Sequence, residues 1–387
     1  MPNVLHLINT AGPGGAETVF ENIVRYLPRD RWRSVPVVRN EGWLPDRLRE
    51  AGHEPVILGS RTRHDVAYYS ALRSLIRERG IDLVHAHYFG PAVSAGLLGL
   101  LCGIPAVATL HGTGDLSPNE SFRALKLAAV RRGVTRLIFV SAPLRDSYLP
   151  RLGIDRRRAV VIPNGVEPHF FRPTVSRAVR AEIGAGPEDF VIGSVGNIRH
   201  AKGYDLLLRA VAELIPELPH LRLVIAGDDG AGLKRDLDAL SSHLRLSGRV
   251  HFLGFRPDVR DVLSALDLFV VSSRTEGFSI AAVQAMAAGL PVLATRSGGP
   301  EMILQDGMSG VLVGADSPTA LADGIRRLYR DPEERRRLAL TGRESAASRF
   351  TVEEQVRSYA LIYEECLSGQ GPKPELPFTF EPAAVPR

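Results

Sequence analysis

Short apolar runs alternate with stretches of helical period along most of the chain. In the first half the runs are Val4–Ile8, Val35–Val38, Pro55–Leu58, Leu83–Ala86, Ala106–Leu110, Leu137–Val140 and Val160–Ile162. Near-continuous apolar strands separated by helices predict a parallel sheet covered on both faces. The second half repeats the pattern, with strands at Phe190–Val195, Arg222–Ala226, Val250–Leu253 and Asp267–Val271. Helices are predicted at Tyr204–Leu214, Ser279–Ala288, Ser317–Tyr329 and Pro332–Ser348, and a last one from Phe350-Thr351 to about Leu367. Gly289 stops the alanine-rich helix at a C-cap position. Asp236 and Asp238 have D-x-D spacing but fall within a helical stretch, where we read a solvated face.

The polar residues of greatest interest fall where these elements switch. Ligands of open α/β sheets bind beyond the carboxyl ends of the strands. There the first strand is followed by Gly12-Pro13-Gly14-Gly15-Ala16-Glu17, and later strands end at His87 and at Thr109-Leu110-His111-Gly112. Gly14 and Gly15 open a helix, where backbone N–H groups can approach an anion. The G-x-G-x-x-G spacing of dinucleotide folds is absent, and the second strand ends in Arg39-Asn40 without a ribose-binding acid, which disfavours a dehydrogenase. In the second half Gly196-Asn197-Ile198-Arg199-His200-Ala201-Lys202-Gly203 precedes a helix. A glycine turn with two cations at a helix start suits a diphosphate. Lys202 is one of only four lysines, so composition does not account for it. Glu276 and the loop Ser297-Gly298-Gly299 are expected in one crevice. Gln284, eight residues after Glu276 or about two helical turns, is expected to share its face.

At 387 residues the chain can hold two domains, each with its own core. Hydrophobic residues are 44%, and no run approaches the roughly 18 to 20 apolar residues of a membrane span. Met1-Pro2-Asn3 leads straight into a strand with no basic segment, so no signal peptide is expected. Cys102 and Cys366 form neither a disulfide framework nor a metal motif, and a reducing, cytoplasmic setting follows. Residues 1–172 carry 23 basic against 15 acidic side chains, the remainder 25 against 28. The basic half suggests an anionic partner, either a phosphorylated acceptor or an anionic membrane surface; an arginine-rich composition, 44 Arg in all, is the plainer reading. The region Ser121–Arg136, with Phe122, Leu125, Leu127 and Val130 among basic residues, is the candidate membrane contact or an ordinary core-facing helix. Basic residues without interleaved aromatics, and no recognition motif, speak against nucleic acid.

The segment Glu276-Gly277-Phe278-Ser279, Gln284-Ala285-Met286-Ala287, Gly289, Pro291 and Gly298-Gly299-Pro300-Glu301 resembles the signature of glycosyltransferase family 4, in register over thirty residues. It departs at Gln284, where the family has Glu. Gly14-Gly15-Ala16-Glu17, the histidine of Thr109-Leu110-His111-Gly112, Phe139-Val140-Ser141, Ile162–Val166, and Arg199 with Lys202 resemble further family segments. The resemblance covers roughly residues 1–367 and implies an α/β protein of GT-B architecture, two Rossmann-like domains facing across a cleft. The first, acceptor-binding domain is then 1–170, completed by a helix 351–367; the donor-binding domain is 171–350, reached through a linker at Glu167–Thr174; and 368–387 is a proline-rich tail.

The implied activity is retaining, metal-independent transfer from a nucleotide sugar such as a UDP- or GDP-sugar, with no further cofactor. The implied acceptor is a glycan, lipid-linked or small molecule, as in cell-surface polysaccharide or glycolipid synthesis. In that reading Arg199 and Lys202 hold the leaving diphosphate, Glu276 holds sugar hydroxyls, His111 contacts the donor sugar, and Gln284 reaches the ribose. Gly14, Gly15, Gly196, Gly227, Gly277, Phe278 and Ser279 line the donor, and Phe255 and Arg256 sit near base and ribose. An epimerase on the same fold would need a further pair of carboxylates that the sequence does not offer. A catalytically weak binding subunit is the alternative that Gln284 motivates.

Overall fold

The computed structural model describes residues 1–59, 66–116, 120–172, 174 and 176–369. The described chain divides into two compact units, Met1–Asn164 together with the helix Val352–Leu367, and Gly165–Thr351. The expected boundary at 170 falls instead at Asn164. Pro173 of the expected linker and the tail beyond Gly369 lie outside the described residues.

In the first unit, β1 (Asn3–Ile8), β2 (Arg33–Val38), β3 (Val56–Ile57), β4 (Leu83–His87), β5 (Ala106–Leu110), β6 (Arg136–Phe139) and β7 (Ala159–Val161) form one parallel sheet ordered β3-β2-β1-β4-β5-β6-β7. The run Pro55–Leu58 shrinks to two residues. It is an edge strand, and Pro55 brings no N–H to the ladder. β1, β4 and β5 are almost wholly buried, as strands covered on both faces must be. The helix Val352–Leu367 belongs to this unit through its own polar contacts. Tyr363 Oη meets His85 Nδ1 at 2.7 Å, Tyr359 Oη meets Thr109 Oγ1 at 3.2 Å, and the buried Arg136 donates from Nε to Glu365 at 2.7 Å. A buried guanidinium needs such a partner, because an unpaired buried charge costs several kcal/mol.

The region Ser121–Arg136 forms the shorter helix Arg123–Gly133. A Cβ on Gly133 would lie 1.9 Å from the carbonyl oxygen of Gly96, so this helix sits backbone to backbone on the helix Phe89–Cys102. Leu127 and Val130 are buried, while Phe122 and Leu125 stay 65% and 69% exposed. Among the described residues no helix is long and apolar enough to cross a membrane.

In the second unit, β8 (Phe190–Val195), β9 (Leu221–Ala226), β10 (Val250–Gly254), β11 (Leu268–Val271), β12 (Val292–Thr295) and β13 (Val311–Val313) form a parallel sheet ordered β10-β9-β8-β11-β12-β13. Its core gathers Leu207, Val211, Leu223, Val270, Leu293 and Ile325. Asp267, expected in the strand, lies just before β11 and accepts the Val191 N–H and the Arg180 guanidinium, both at 2.7 Å. Asp236 and Asp238 lie on the helix Lys234–His243, and Asp238 is paired with Lys234.

Candidate functional site

The second sheet gathers three loops at its carboxyl edge, those following β9, β8 and β11, which are neighbours in the strand order. Glycines set how close they come. A Cβ on Gly227 would sit 2.0 Å from the carbonyl oxygen of Gly196, and one on Gly203 would sit 2.2 Å from that of Ser272. Gly203 also takes φ +63 as it opens the helix Tyr204–Leu214, a region that side chains rarely adopt. Tyr204 Oη donates to the Gly196 carbonyl at 2.8 Å, and the Ile198 N–H donates to that of Asp228 at 2.8 Å. Gly196 and Gly227 are thus required by backbone packing in the first place, and the loop they shape presents Arg199 and Lys202.

Lys202 and Glu276 meet there across 74 positions of sequence, Nζ to Oε2 at 2.7 Å, and Ser273 Oγ donates to the same carboxylate oxygen at 3.0 Å. The Glu276 backbone is pinned from both sides: its N–H donates to the Ser297 carbonyl and its carbonyl accepts from Gly299, each at 2.8 Å. A Cβ on Gly299 would come within 2.7 Å of Phe278 Cα, so only glycine lets the two loops touch. The Gly298 N–H donates to Glu301 at 2.9 Å, and Thr295 Oγ1 donates to the Ser273 carbonyl at 2.6 Å. Arg199 is exposed and has no ion-pair partner among the described residues. The arrangement offers one cation already held against a carboxylate and a second cation reaching outward.

Three expectations need correction. Glu276 and Gln284 do not share a helical face: the helix spans only Ile280–Ala287, and Glu276 lies before it, bridged to Gly298. Their eight-residue spacing is therefore not two helical turns; Gln284 is half-buried on the helix itself. Ser279 caps that helix, its buried hydroxyl accepting the Ala282 N–H at 3.4 Å, so the side chain is committed to structure. The Phe278 ring is buried and packs edge-on against Phe350, centroids 5.8 Å apart, leaving only its backbone to line a site with Gly277. Phe255 is partly exposed just beyond β10, and Arg256 pairs with Glu182.

The first sheet carries a counterpart at its own carboxyl edge. Gly14 precedes the helix Gly15–Tyr26, and a Cβ on it would lie 2.2 Å from Glu17 Oε2. Glu17 is buried and accepts a hydrogen bond from Tyr88 Oη at 3.1 Å. Tyr88, directly after β4, takes φ +75, a strained choice for an aromatic residue of the kind that concentrates at functional sites. His111 follows β5, and its Nε2 lies 2.9 Å from His87 Nδ1. The His111 N–H donates to Asp115 Oδ2 at 2.7 Å. Burial lowers His111 to about 3, and burial with the neighbouring His85 and His111 holds His87 well below its ordinary value, so both rings are neutral. Burial raises Asp115 to about 7 against the opposing pull of two backbone N–H bonds.

Glu17, Tyr88, Asp115 and Ser273 were not singled out from sequence as site residues. Tyr88 could have been found as the residue just past a strand end that already carried His87. Asp115 lies in a loop without motif, and only its turn back to the His111 amide reveals it. Among the described residues no group of three or more His, Cys, Asp or Glu side chains is placed to hold a metal ion.

Comparison with known proteins bears on both units. The profile of the family described as Glycosyltransferase Family 4 matches residues 13–170, and that described as Glycosyl transferases group 1 matches residues 175–345. The chain is 33% identical over 299 residues to the D-inositol 3-phosphate glycosyltransferase of Nocardia farcinica, a match covering 72% of this chain and 66%, just under two thirds, of that protein. It is 32% identical over 379 residues to the protein of the same name from Frankia alni, covering 92% and 87%. In fold it is similar to Anabaena Alr3699/HepE, crystallised in complex with UDP-glucose, with a TM-score of 0.85 at 23% identity over 94% of this chain and 99% of that one. It is also similar to WaaG, a glycosyltransferase involved in lipopolysaccharide biosynthesis, with a TM-score of 0.73 at 20% identity over 95% and 100%. With a profile match on each of its two sheets and relatives alike along most of its length, the chain belongs to the glycosyl transferases group 1 and is a glycosyltransferase.

Proposed function

We propose that the protein transfers a sugar from a nucleotide-activated donor, with retention at the anomeric carbon and without a metal ion, to a small phosphorylated polyol. The contact between Lys202 and Glu276 at the carboxyl edge of the second sheet carries this reading. A flexible ammonium suits a diphosphate, and a carboxylate fixed through its own backbone suits sugar hydroxyls. Lys202 has three donors and spends one on Glu276, leaving two for phosphate oxygens. As the anomeric bond breaks, the diphosphate gains charge; Lys202, the exposed Arg199 and nearby backbone N–H groups stabilise it where it develops, and that lowers the barrier. Gln284 contacts the ribose, and Phe255 lies by the base. Gly14, Gly15 and His111 form part of the substrate site of the first unit.

The acceptor class draws on the relatives named D-inositol 3-phosphate glycosyltransferase and on the basic balance of residues 1–172. The test is a panel of UDP- and GDP-sugars incubated with D-inositol 3-phosphate, unphosphorylated inositol or a lipid-linked acceptor, read as release of nucleoside diphosphate. Release that requires the phosphorylated polyol, persists with chelator and yields a product of the donor's anomeric configuration is expected. Release with the lipid-linked acceptor alone, or loss of activity on chelation restored by a divalent ion, overturns the proposal.

A further inference from the structure

His87 has no assigned task. Its ring is fully buried between Phe20, whose ring stands edge-on at 5.2 Å, and His85 at 4.4 Å. Its single hydrogen bond runs from Nδ1 to His111 Nε2 at 2.9 Å, with the two ring planes within 14° of each other. Its other nitrogen, Nε2, is buried without a partner, and His111 Nδ1 has none among the described residues.

One proton must lie between the two rings, and it can belong to either. Were it on His111, neutral His87 would carry its own proton on Nε2, an N–H buried with nothing to accept it. Were it on His87 Nδ1, only an acceptor lone pair would be left unpaired in the core. An orphaned buried N–H is the rarer case in folded proteins. The second arrangement also leaves neutral His111 with its proton on Nδ1. We propose that His87 is a positioning residue, donating its Nδ1–H to His111 Nε2 and so fixing His111 as a hydrogen-bond donor through Nδ1 toward bound substrate. Three supports hold that donor in place: the His87 ring, the Asp115 carboxylate on the His111 amide, and the Phe20 and His85 rings that keep His87 from turning. Direction toward substrate rests on the reading of His111 as a site residue; the tautomer does not.

Nitrogen NMR of the full-length protein labelled at histidine, with His111 identified by its loss in His111→Gln, reads the tautomer without any substrate. In the wild type His111 Nε2 should be unprotonated and Nδ1 protonated. His87→Leu should shift the His111 population toward a protonated Nε2, while His87→Asn, whose amide nitrogen lies about where imidazole Nδ1 does, should hold the original tautomer. With the donor and acceptor pair found active in the panel, His87→Leu should lower kcat about tenfold or more, the scale on which a group that orients another is felt, and His87→Asn should recover most of it. A protonated Nε2 in the wild type, or an unchanged tautomer in His87→Leu, overturns the proposal. If the tautomer behaves as stated but His111→Ala retains full turnover, the substrate-site reading of His111 fails instead.

Discussion

The two sheets present opposite chemistry at equivalent edges. At the first, polar side chains are buried or half-buried and bonded to one another: Tyr363 to His85, His85 to Thr109, His87 to His111, Tyr88 to Glu17. At the second, the central contact is an ion pair, Lys202 with Glu276, beside an exposed arginine. Such a network resists rearrangement, because each lost bond leaves a buried group unpaired. An ion pair at a partly open edge can exchange one partner for an anionic ligand at little cost. The first edge is built to hold shape, the second to receive charge.

The sharpest way to break this contrast is to remove the charge from the second edge. Lys202→Ala should lower turnover by on the order of 10²-fold or more, as expected when a group facing developing charge is lost. Wild-type kinetics in a folded Lys202→Ala protein would remove Lys202 from the site.

A second test separates shape from charge at that same edge. Gly227→Ala places a methyl group 2.0 Å from the Gly196 carbonyl oxygen, and backbone cannot yield there as a flexible side chain would. A loss of roughly 1 to 3 kcal/mol in urea unfolding is expected, the cost typical of overpacking. An unchanged midpoint would show that the loops after β8 and β9 are not locked together.

Much of this was legible in the sequence. The strands read as apolar runs because both faces of each sheet are covered, and the segment from Glu276 to Glu301 carried its resemblance in a continuous stretch. The failures have physical causes. The spacing from Glu276 to Gln284 looked helical, but nothing in the three residues Gly277, Phe278 and Ser279 forced a helix, and Ser279 caps one that begins only at Ile280. Phe278 and Ser279 sat in the right motif with side chains turned to the core and the cap. His87 and His111 were legible as strand-end residues of one crevice, but the hydrogen bond between them and the Phe20 and His85 rings beside it come from separate elements and meet only in the fold.

Acid sharpens the comparison by its effect on the first unit. His6 is buried with both ring nitrogens unpartnered, and burial, aided by His53, lowers it from 6.5 to about 3. The unfolded chain takes up the proton below about pH 6.5 and the native state refuses it down to about pH 3. Its contribution to stability is therefore complete above pH 6.5 and is lost as pH falls through that window. At pH 5 the penalty from His6 is about 2 kcal/mol. Both tryptophans, Trp32 and Trp43, belong to the first unit, so their fluorescence reports its unfolding. The difference in unfolding free energy between pH 7 and pH 5 should shrink by about 2 kcal/mol in His6→Phe; an unaltered difference would show that His6 takes up its proton in the native state.

The smallest expected effect concerns Gln284. An amide has one acceptor oxygen where a carboxylate has two, and charge-assisted hydrogen bonds are roughly twice as strong as neutral ones. Gln284→Glu should tighten nucleoside diphosphate binding by about 1 kcal/mol with little change in the sugar selected. Equal or weaker binding would mean that Gln284 serves some contact other than the ribose.

Calorimetric titration of the full-length protein with UDP and with GDP, in the wild type and in the double variant Arg199→Ala, Lys202→Ala, tests most directly whether the second edge is the anion-receiving one. Binding by the wild type that falls at least tenfold in the double variant, with tryptophan-monitored unfolding of the first unit unchanged, is expected. Equal affinity in the two proteins would contradict it and would move the diphosphate site away from the loop between Gly196 and Gly203.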